Sequence, residues 1–282
     1  MTARLAASAA AFSLLEVLVA TTLTLVTAAA AFQLFHQNAR IFTDRSVILE
    51  MQQSARVVAS QLADDIRMAG QGLPPSINET VLPGSGVSRL NIRIGFNATE
   101  SVVLSPLPMD VVVANPLTLA VEATSGFSSG RQVFLWTDSL WARALINSVS
   151  GSSKTIRITP SAISKTPLQI KTLPVLSVDE AVAIYHDSAT NTVRRTTATS
   201  TENPFTPNWA PANDLASNVR ALTFLYFDGL NTPLTPDTPI RRSQIRTIEA
   251  RVSVRSSSAL SDGSRPVYSM SVRGAPRNSR VP

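Results

Sequence analysis

The sequence contains no cysteine and only two histidines, which narrows the chemistry that this chain can carry out. Without thiols it can form neither a disulfide bond nor a thiolate metal site. The histidines, His36 and His186, have no second ligand at metal-binding spacing. The G-x-S-x-G elbow, the glycine-rich phosphate loop and the H-E-x-x-H motif are all missing. The sequence therefore predicts no catalytic residue, no metal site and no cofactor, and it argues against an enzyme.

Charged residues are also scarce, at 16% of the chain, and aromatic residues make up only 6%. The formal net charge is +6, and the arginines are scattered except in the tail at residues 251–280. A site for single-stranded nucleic acid combines a basic groove with aromatic residues on which bases stack, a pattern that this tail does not show. We therefore expect the tail arginines to lie on a solvated surface rather than in a DNA site.

Two pairs of adjacent carboxylates, Asp64-Asp65 and Asp179-Glu180, are the next candidates for chemistry. Neighbouring residues on a helix or a strand do not share a face, so the members of a pair cannot act on one substrate together. We expect both pairs to be solvated surface residues.

The N-terminal segment has the opposite character, because Glu16 is the only formally charged side chain in residues 5–39. Residues 17–35 are almost entirely apolar and contain neither proline nor glycine. As a helix they would extend about 28 Å, enough to cross a bilayer core of about 30 Å. A cleaved secretory signal ending near Ala31, an ordinary membrane anchor and a prepilin leader all fit this pattern.

Glu16 distinguishes these alternatives, because a carboxylate in an apolar run costs about 2.5–3.5 kcal/mol on insertion and is usually functional. Residues 11–16, Ala-Phe-Ser-Leu-Leu-Glu, resemble the processing motif of type IV prepilins, with Ala11 where that family usually has glycine. The resemblance implies that residues 1–11 are a leader peptide. It also implies that a prepilin peptidase cleaves between Ala11 and Phe12 and methylates the Phe12 amine, and that Glu16 serves assembly.

The apolar segment continues into an amphipathic one. Apolar residues recur at steps of three and four between residues 48 and 69, which predicts one buried helical stripe. The helix should end near Gly70, since prolines follow at 74 and 75. We therefore predict one helix over residues 12–70 that spans a membrane at about 17–35 and packs its second half against a domain. The predicted packing residues are Ile48, Met51, Ala55, Val58, Leu62, Ile66 and Ala69.

The remaining residues, 71–282, show short β-type runs separated by proline, serine, threonine and asparagine. The predicted fold class is α+β, with the long helix packed on a C-terminal antiparallel β-sheet domain. Residues 196–212, with three prolines, predict a long loop. The candidate strands are residues 90–94, 111–113, 133–136, 155–158, 181–186, 222–227 and 248–255.

The resemblance extends into this region. Residues 54–70 are similar to the helix ending of PilW-type minor pilins and of the J-type minor pseudopilin of type II secretion, and residues 218–229 and 245–255 are similar to their late strands. It implies a non-enzymatic subunit that initiates or assembles a type IV pilus with other major and minor pilins. The subunit would cross the inner membrane once, with the C-terminal domain outside the cytoplasm. A pseudopilin role, a membrane-anchored adhesion protein, and contact with DNA or a surface stay open.

Overall fold

The structure is a computed structural model that describes residues 13–74, 77, 80–95, 97, 99–107, 110–137, 140–166, 168–199 and 208–277. The predicted cleavage-site residues, Ala11 and Phe12, lie outside these ranges. The elements of the described part are α1 (Leu14–Met68), β1 (Arg89–Arg93), β2 (Glu100–Val102), β3 (Leu117–Ala120), β4 (Gln132–Trp136), β5 (Trp141–Ser150), β6 (Thr155–Ile163), β7 (Val175–Val178), β8 (Glu180–Asp187), β9 (Thr192–Thr199), β10 (Asn213–Ala216), β11 (Val219–Phe227), β12 (Pro233–Leu234), α2 (Pro239–Gln244), β13 (Thr247–Arg255) and β14 (Val267–Gly274).

Helix α1 is one uninterrupted helix of 55 residues, and its presence confirms the predicted long helix. Neither proline nor glycine occurs within it, so no residue breaks the backbone hydrogen bonding. Ser13 caps its start, because its hydroxyl oxygen accepts a hydrogen bond from the Glu16 amide at 3.2 Å. After Met68 the chain turns at Gly70, whose φ of 88° favours glycine and ends the helix.

The strands confirm the α+β class, but they form three antiparallel sheets where the sequence predicted one. The first has the order β1-β8-β9-β10, the second β12-β11-β13-β14, and the third β2-β7-β4-β5-β6-β3. Turn residues indicate where strands end, but they do not specify which strands pair. The number of sheets therefore could not be read from the turn pattern.

The six-stranded sheet is inserted between β1 and β8, and it closes into a barrel. A β-bridge between Val103 and Val121 joins the two ends of the sheet, and the Leu104 amide donates to the Ala120 carbonyl at 2.8 Å. Closure satisfies backbone groups that an open sheet would leave at its edges. The barrel has its own hydrophobic core, formed by Val103, Val111, Leu119, Val121, Phe127, Val133, Leu135, Ala142, Ala144, Ile146, Ile156, Ile158, Leu168, Ile170, Leu176 and Val178.

The second half of α1 lies at the centre of a separate core formed with the two four-stranded sheets. It contacts β10, β13 and β14. On β14, Tyr268, Met270 and Val272 alternate with more exposed residues and pack against this core. Each sheet thus presents one apolar face, as expected for antiparallel sheets that are covered on one side. The buried apolar helix residues are Val47, Met51, Ala55, Val58, Ala59, Leu62 and Ile66.

Several strand predictions are wrong. Residues 111–113 form no strand: only Val111 makes an isolated bridge, to Leu168, while Val112 and Val113 are exposed. Residues 196–212 are not all loop, because β9 continues through Thr199. Eight strands were not predicted: β2, β3, β5, β7, β9, β10, β12 and β14. The longest of them, β5, β9 and β14, are rich in serine, threonine, arginine and alanine, so their strand character depends on pairing with neighbours more than on intrinsic preference.

Candidate functional site

The first half of α1 is an apolar helix that no other described part of the chain covers. Its most apolar window of 18 residues has a mean hydropathy of 1.9, and none of that window is buried. In length and composition this helix fits a single-pass membrane protein, and a signal sequence would meet the same criteria. The exposed large apolar residues of this segment are Leu14, Leu15, Val17, Leu18, Val19, Leu23, Leu25, Val26, Phe32, Leu34, Phe35, Ile41 and Phe42.

Polar side chains within this half of the helix satisfy their hydrogen bonds locally. The hydroxyls of Thr21, Thr22, Thr24 and Thr27 donate to backbone carbonyls three or four residues earlier, at 2.7–3.0 Å. A threonine bonded in this way needs no water, so the segment is compatible with lipid or with a packed helix bundle. Its threonines therefore do not argue against an apolar environment.

Glu16 lies in the first turn of α1, and its side chain is exposed. A carboxylate at this position interacts favourably with the positive end of the helix dipole. No basic side chain among the residues that the structure describes forms an ion pair with it. Phe12, which the predicted cleavage would make the N-terminal residue, lies outside the described residues. The geometry thus presents an acidic group at the tip of an apolar helix.

Helix α1 changes from exposed on all sides to buried on one face within a few residues. Phe42 is 77% exposed, whereas Val47 is 9% exposed and is the first buried residue of the helix. The predicted packing residue Ile48 is only partly buried. The other predicted packing residues, Met51, Ala55, Val58, Leu62, Ile66 and Ala69, are all buried in the helix-centred core, at 0–6% exposure.

An ion pair that the sequence analysis missed links this helix to β9. The Arg195 guanidinium donates two hydrogen bonds to the Asp65 carboxylate, at 2.9 and 3.1 Å, and Gln61 donates a third at 3.3 Å. The expectation that Asp65 is a solvated residue is therefore wrong, since it is fully buried. Asp65 follows Leu62 by three residues and Val58 by seven, so its position on the buried stripe was a signal of this burial.

The expectation for Asp179-Glu180 is also wrong, because both residues are 2% exposed. Asp179 contacts two arginines: Arg93 on β1 at 3.2 Å and Arg143 on β5 at 3.4 Å. The three residues join the barrel to the first four-stranded sheet at the point where β7 leads into β8. Buried charges persist only where such partners surround them. A structural joint between the barrel and the sheet accounts for this cluster.

Both histidines have local contacts that account for them. The ring of His36 meets Phe32 edge to face on the exposed part of α1, with centroids 6.4 Å apart. The Nε2 atom of His186 is 2.9 Å from the Val219 carbonyl oxygen. Within the part of the chain that the structure describes, no group of three or more acidic or histidine side chains could hold a metal ion.

Comparisons of the chain with protein families, with curated proteins and with solved structures find no match.

Proposed function

We propose that this chain is a pilin-like filament subunit, a minor pilin that takes part in the initiation or assembly of a type IV pilus. The observation that carries the proposal is the division of α1. Its second half buries one apolar stripe in its own domain, whereas its first half is apolar and exposed and carries Glu16 in its first turn. A helix built in this way has one half committed to its own fold and one half available to lipid or to other helices.

The exposed half requires an apolar environment. Before assembly the bilayer provides it, since the segment is long enough to span the hydrocarbon core. In a filament, the corresponding helices of other pilin subunits would replace the lipid. The same surface therefore contacts lipid in the membrane-bound subunit and other pilin helices in the assembled filament.

Glu16 supports a pilin role over a plain anchor. A carboxylate in an apolar environment is unfavourable unless it is paired, and an ordinary anchor gains nothing from carrying one. Cleavage between Ala11 and Phe12 by a prepilin peptidase would create a cationic N-terminus about one helical turn away. Pairing of Glu16 with the amine of a neighbouring subunit would then set the register of docking more than its strength, because desolvation offsets much of the attraction.

The first experiment determines the mature N-terminus by mass spectrometry of the protein extracted from membranes. We expect the chain to begin at methylated Phe12. A mature start after Ala31 would identify an ordinary secretory signal and refute the pilin assignment. Replacement of Ala11 by a bulky residue should leave the precursor uncut.

The second experiment measures incorporation. We expect Glu16→Ala to insert into the membrane and lose its leader normally, but to be depleted in sheared filaments relative to the membrane fraction. Glu50→Ala is the matched control, because Glu50 is an exposed carboxylate on the same helix outside the apolar segment. Equal incorporation of the two variants would show that the Glu16 carboxylate has no role in assembly.

A further inference from the structure

Three arginines of the basic tail and its neighbouring strand share one recess. Arg220, Arg255 and Arg265 line an opening of about 180 Å³ together with Asn191 and Asn218. All five side chains are exposed. The sequence predicted a solvated surface for the tail arginines, but the tertiary structure places two of them, Arg255 and Arg265, beside Arg220 around one opening.

Backbone pairing brings the three arginines together. The Arg255 amide at the end of β13 donates to the Asn218 carbonyl at 2.8 Å, and the Val219 amide donates to the Asn191 carbonyl at 2.9 Å. Both asparagines have positive φ, 53° for Asn191 and 59° for Asn218, which turns the chain sharply at the rim of the recess. The chain reverses direction at Asn191, at Asn218 and in the loop between β13 and β14, and the recess lies where these three turns meet.

The recess has an uncompensated positive charge. Among the described residues, none of its three guanidinium groups forms an ion pair with a carboxylate. Of the acidic side chains on the adjoining loops, Asp187 pairs with Arg194 at 3.1 Å, and Asp262 accepts a hydrogen bond from the Ser264 amide but keeps its charge, so the three arginines outnumber it. Three neighbouring cations without acidic partners favour an anionic ligand.

The recess lies at the end of the domain that faces the exposed apolar half of α1. Strand β14 runs along the helix, with Gly274 against Ile66 at the far end. The loop that precedes β14, residues 256–266, reaches back to Asp44, whose carboxylate accepts hydrogen bonds from the Ser261 amide at 2.9 Å and from its hydroxyl at 2.6 Å. Arg265 belongs to this loop.

The depth of this loop relative to a membrane follows from the helix rise. Asp44 lies four residues beyond Arg40, the first charged residue after the apolar segment, which is about 6 Å along the helix axis. The headgroup layer of one leaflet is about 5–7 Å thick. If α1 is inserted up to Arg40, the loop that Asp44 holds, and the recess beside it, lie at the level of the lipid phosphates.

We propose that the recess formed by Arg220, Arg255 and Arg265 binds the phosphate group of an anionic lipid headgroup and so orients the domain on the membrane that holds α1. Guanidinium groups suit this role because their planar donors match phosphate oxygens in pairs. The proposal depends on membrane insertion of α1 but not on filament assembly, so the two can fail separately.

The test uses the full chain in nanodiscs of phosphatidylcholine alone or mixed with phosphatidylglycerol. Because the chain has no cysteine, Ser257→Cys places a single fluorophore on the loop beside the recess. Nitroxides on lipid headgroups quench the fluorophore when the loop docks. Insertion of α1 sets a baseline of quenching in phosphatidylcholine, and we expect phosphatidylglycerol to raise the quenching above it, because the anionic headgroup holds the loop among the phosphates. Replacing all three arginines by glutamine should lower the ratio of docked to undocked protein about 100-fold, at about fivefold per arginine.

The control variant removes the same charge from the barrel: Arg157→Gln, Lys165→Gln and Lys171→Gln, all at exposed positions. It should dock like the unmodified chain. Quenching that does not depend on phosphatidylglycerol, or an equal loss in the control variant, would overturn the proposal. Hydrogen exchange of β13 tests whether the triple variant is folded. If it is not, Arg265→Gln alone replaces it, with an expected loss of about fivefold.

Two competitors distinguish the source of the phosphate. Soluble glycerol phosphate should release the loop only at concentrations far above those of the lipid, because it lacks the bilayer that holds the loop in place. Release by glycerol phosphate at the lipid's own concentration would assign the recess to a free phosphate ester. Release by a single-stranded oligonucleotide at equal phosphate concentration would assign it to nucleic acid. Either result would refute the lipid assignment.

Discussion

Removing the Asp65 carboxylate should destabilise the helix-centred core, whereas removing that of its neighbour Asp64 should not. Asp65 is fully buried and accepts two hydrogen bonds from Arg195. The Asp64 side chain is 57% exposed, and its partner Arg67 is 68% exposed, at 3.6 Å. The two residues are adjacent and chemically identical, so they form an internal comparison of a buried and an exposed ion pair.

The expected magnitudes differ severalfold. Breaking a buried pair by removing one partner costs about 3–5 kcal/mol, because the other charge is left uncompensated. The Arg195 side chain is 22% exposed, so water can reach part of it, and we expect Asp65→Ala to cost about 3 kcal/mol, the lower end of that range. An exposed pair at i,i+3 contributes about 0.5 kcal/mol or less, which sets the expectation for Asp64→Ala.

The assay is amide hydrogen exchange of β9 and β13 at increasing urea, on the full chain in neutral detergent micelles. These strands belong to the helix-centred core, so the barrel and the exposed half of α1 do not contribute to the signal. Replacing Asp65 and Arg195 together by leucine should recover most of the stability, since no unpaired charge remains. Equal effects of Asp65→Ala and Asp64→Ala would refute the argument that burial determines the cost.

Three further predictions concern the same core. Leu62→Ala should destabilise it by about 2–5 kcal/mol, because Leu62 is fully buried, and Val57→Ala on the exposed face is the control, both measured by the same urea series. Gly274→Ala should cost about 1–3 kcal/mol, since the added Cβ would lie 2.7 Å from the Ile66 Cγ2 atom; a neutral result would mean that Ile66 can repack. Burial raises the pKa of the Tyr226 hydroxyl, so the folded chain keeps a proton that the unfolded chain loses near pH 10. This stabilisation is present below about pH 10 and is lost as the pH rises further, so urea midpoints at alkaline pH should fall less for Tyr226→Phe.

The long helix could be predicted because its determinants are local. The lack of proline and glycine, the recurrence of apolar residues at three and four, and Gly70 at the end are all visible within a few turns. The change from an all-round apolar half to a one-sided stripe was equally readable. The length of the apolar run predicted a membrane-spanning first half of α1, and the motif around Glu16 predicted a functional residue in it.

Strand pairing could not be predicted, because it depends on contacts between distant residues. Val103 and Val121 close the barrel, and their neighbours in sequence give no sign that they will meet. Strand β5 combines small and polar residues, and only its alignment between β4 and β6 makes it a strand. Intrinsic strand preference is weak, and packing against neighbours overrides it.

The sequence by itself determined that this chain carries an exposed apolar helix with one acidic residue in its first turn, because these properties belong to consecutive residues. Only the tertiary structure decided the environment of the other charges. Asp65 meets Arg195 across 130 positions, and Arg220 joins Arg255 and Arg265 at one recess. A buried charge is stable only when the fold places an opposite charge beside it. Arginines that are distant in sequence form a cluster only when the fold brings their loops together. Both conditions depend on how the sheets fold back around the helix, which the order of residues along the chain does not express.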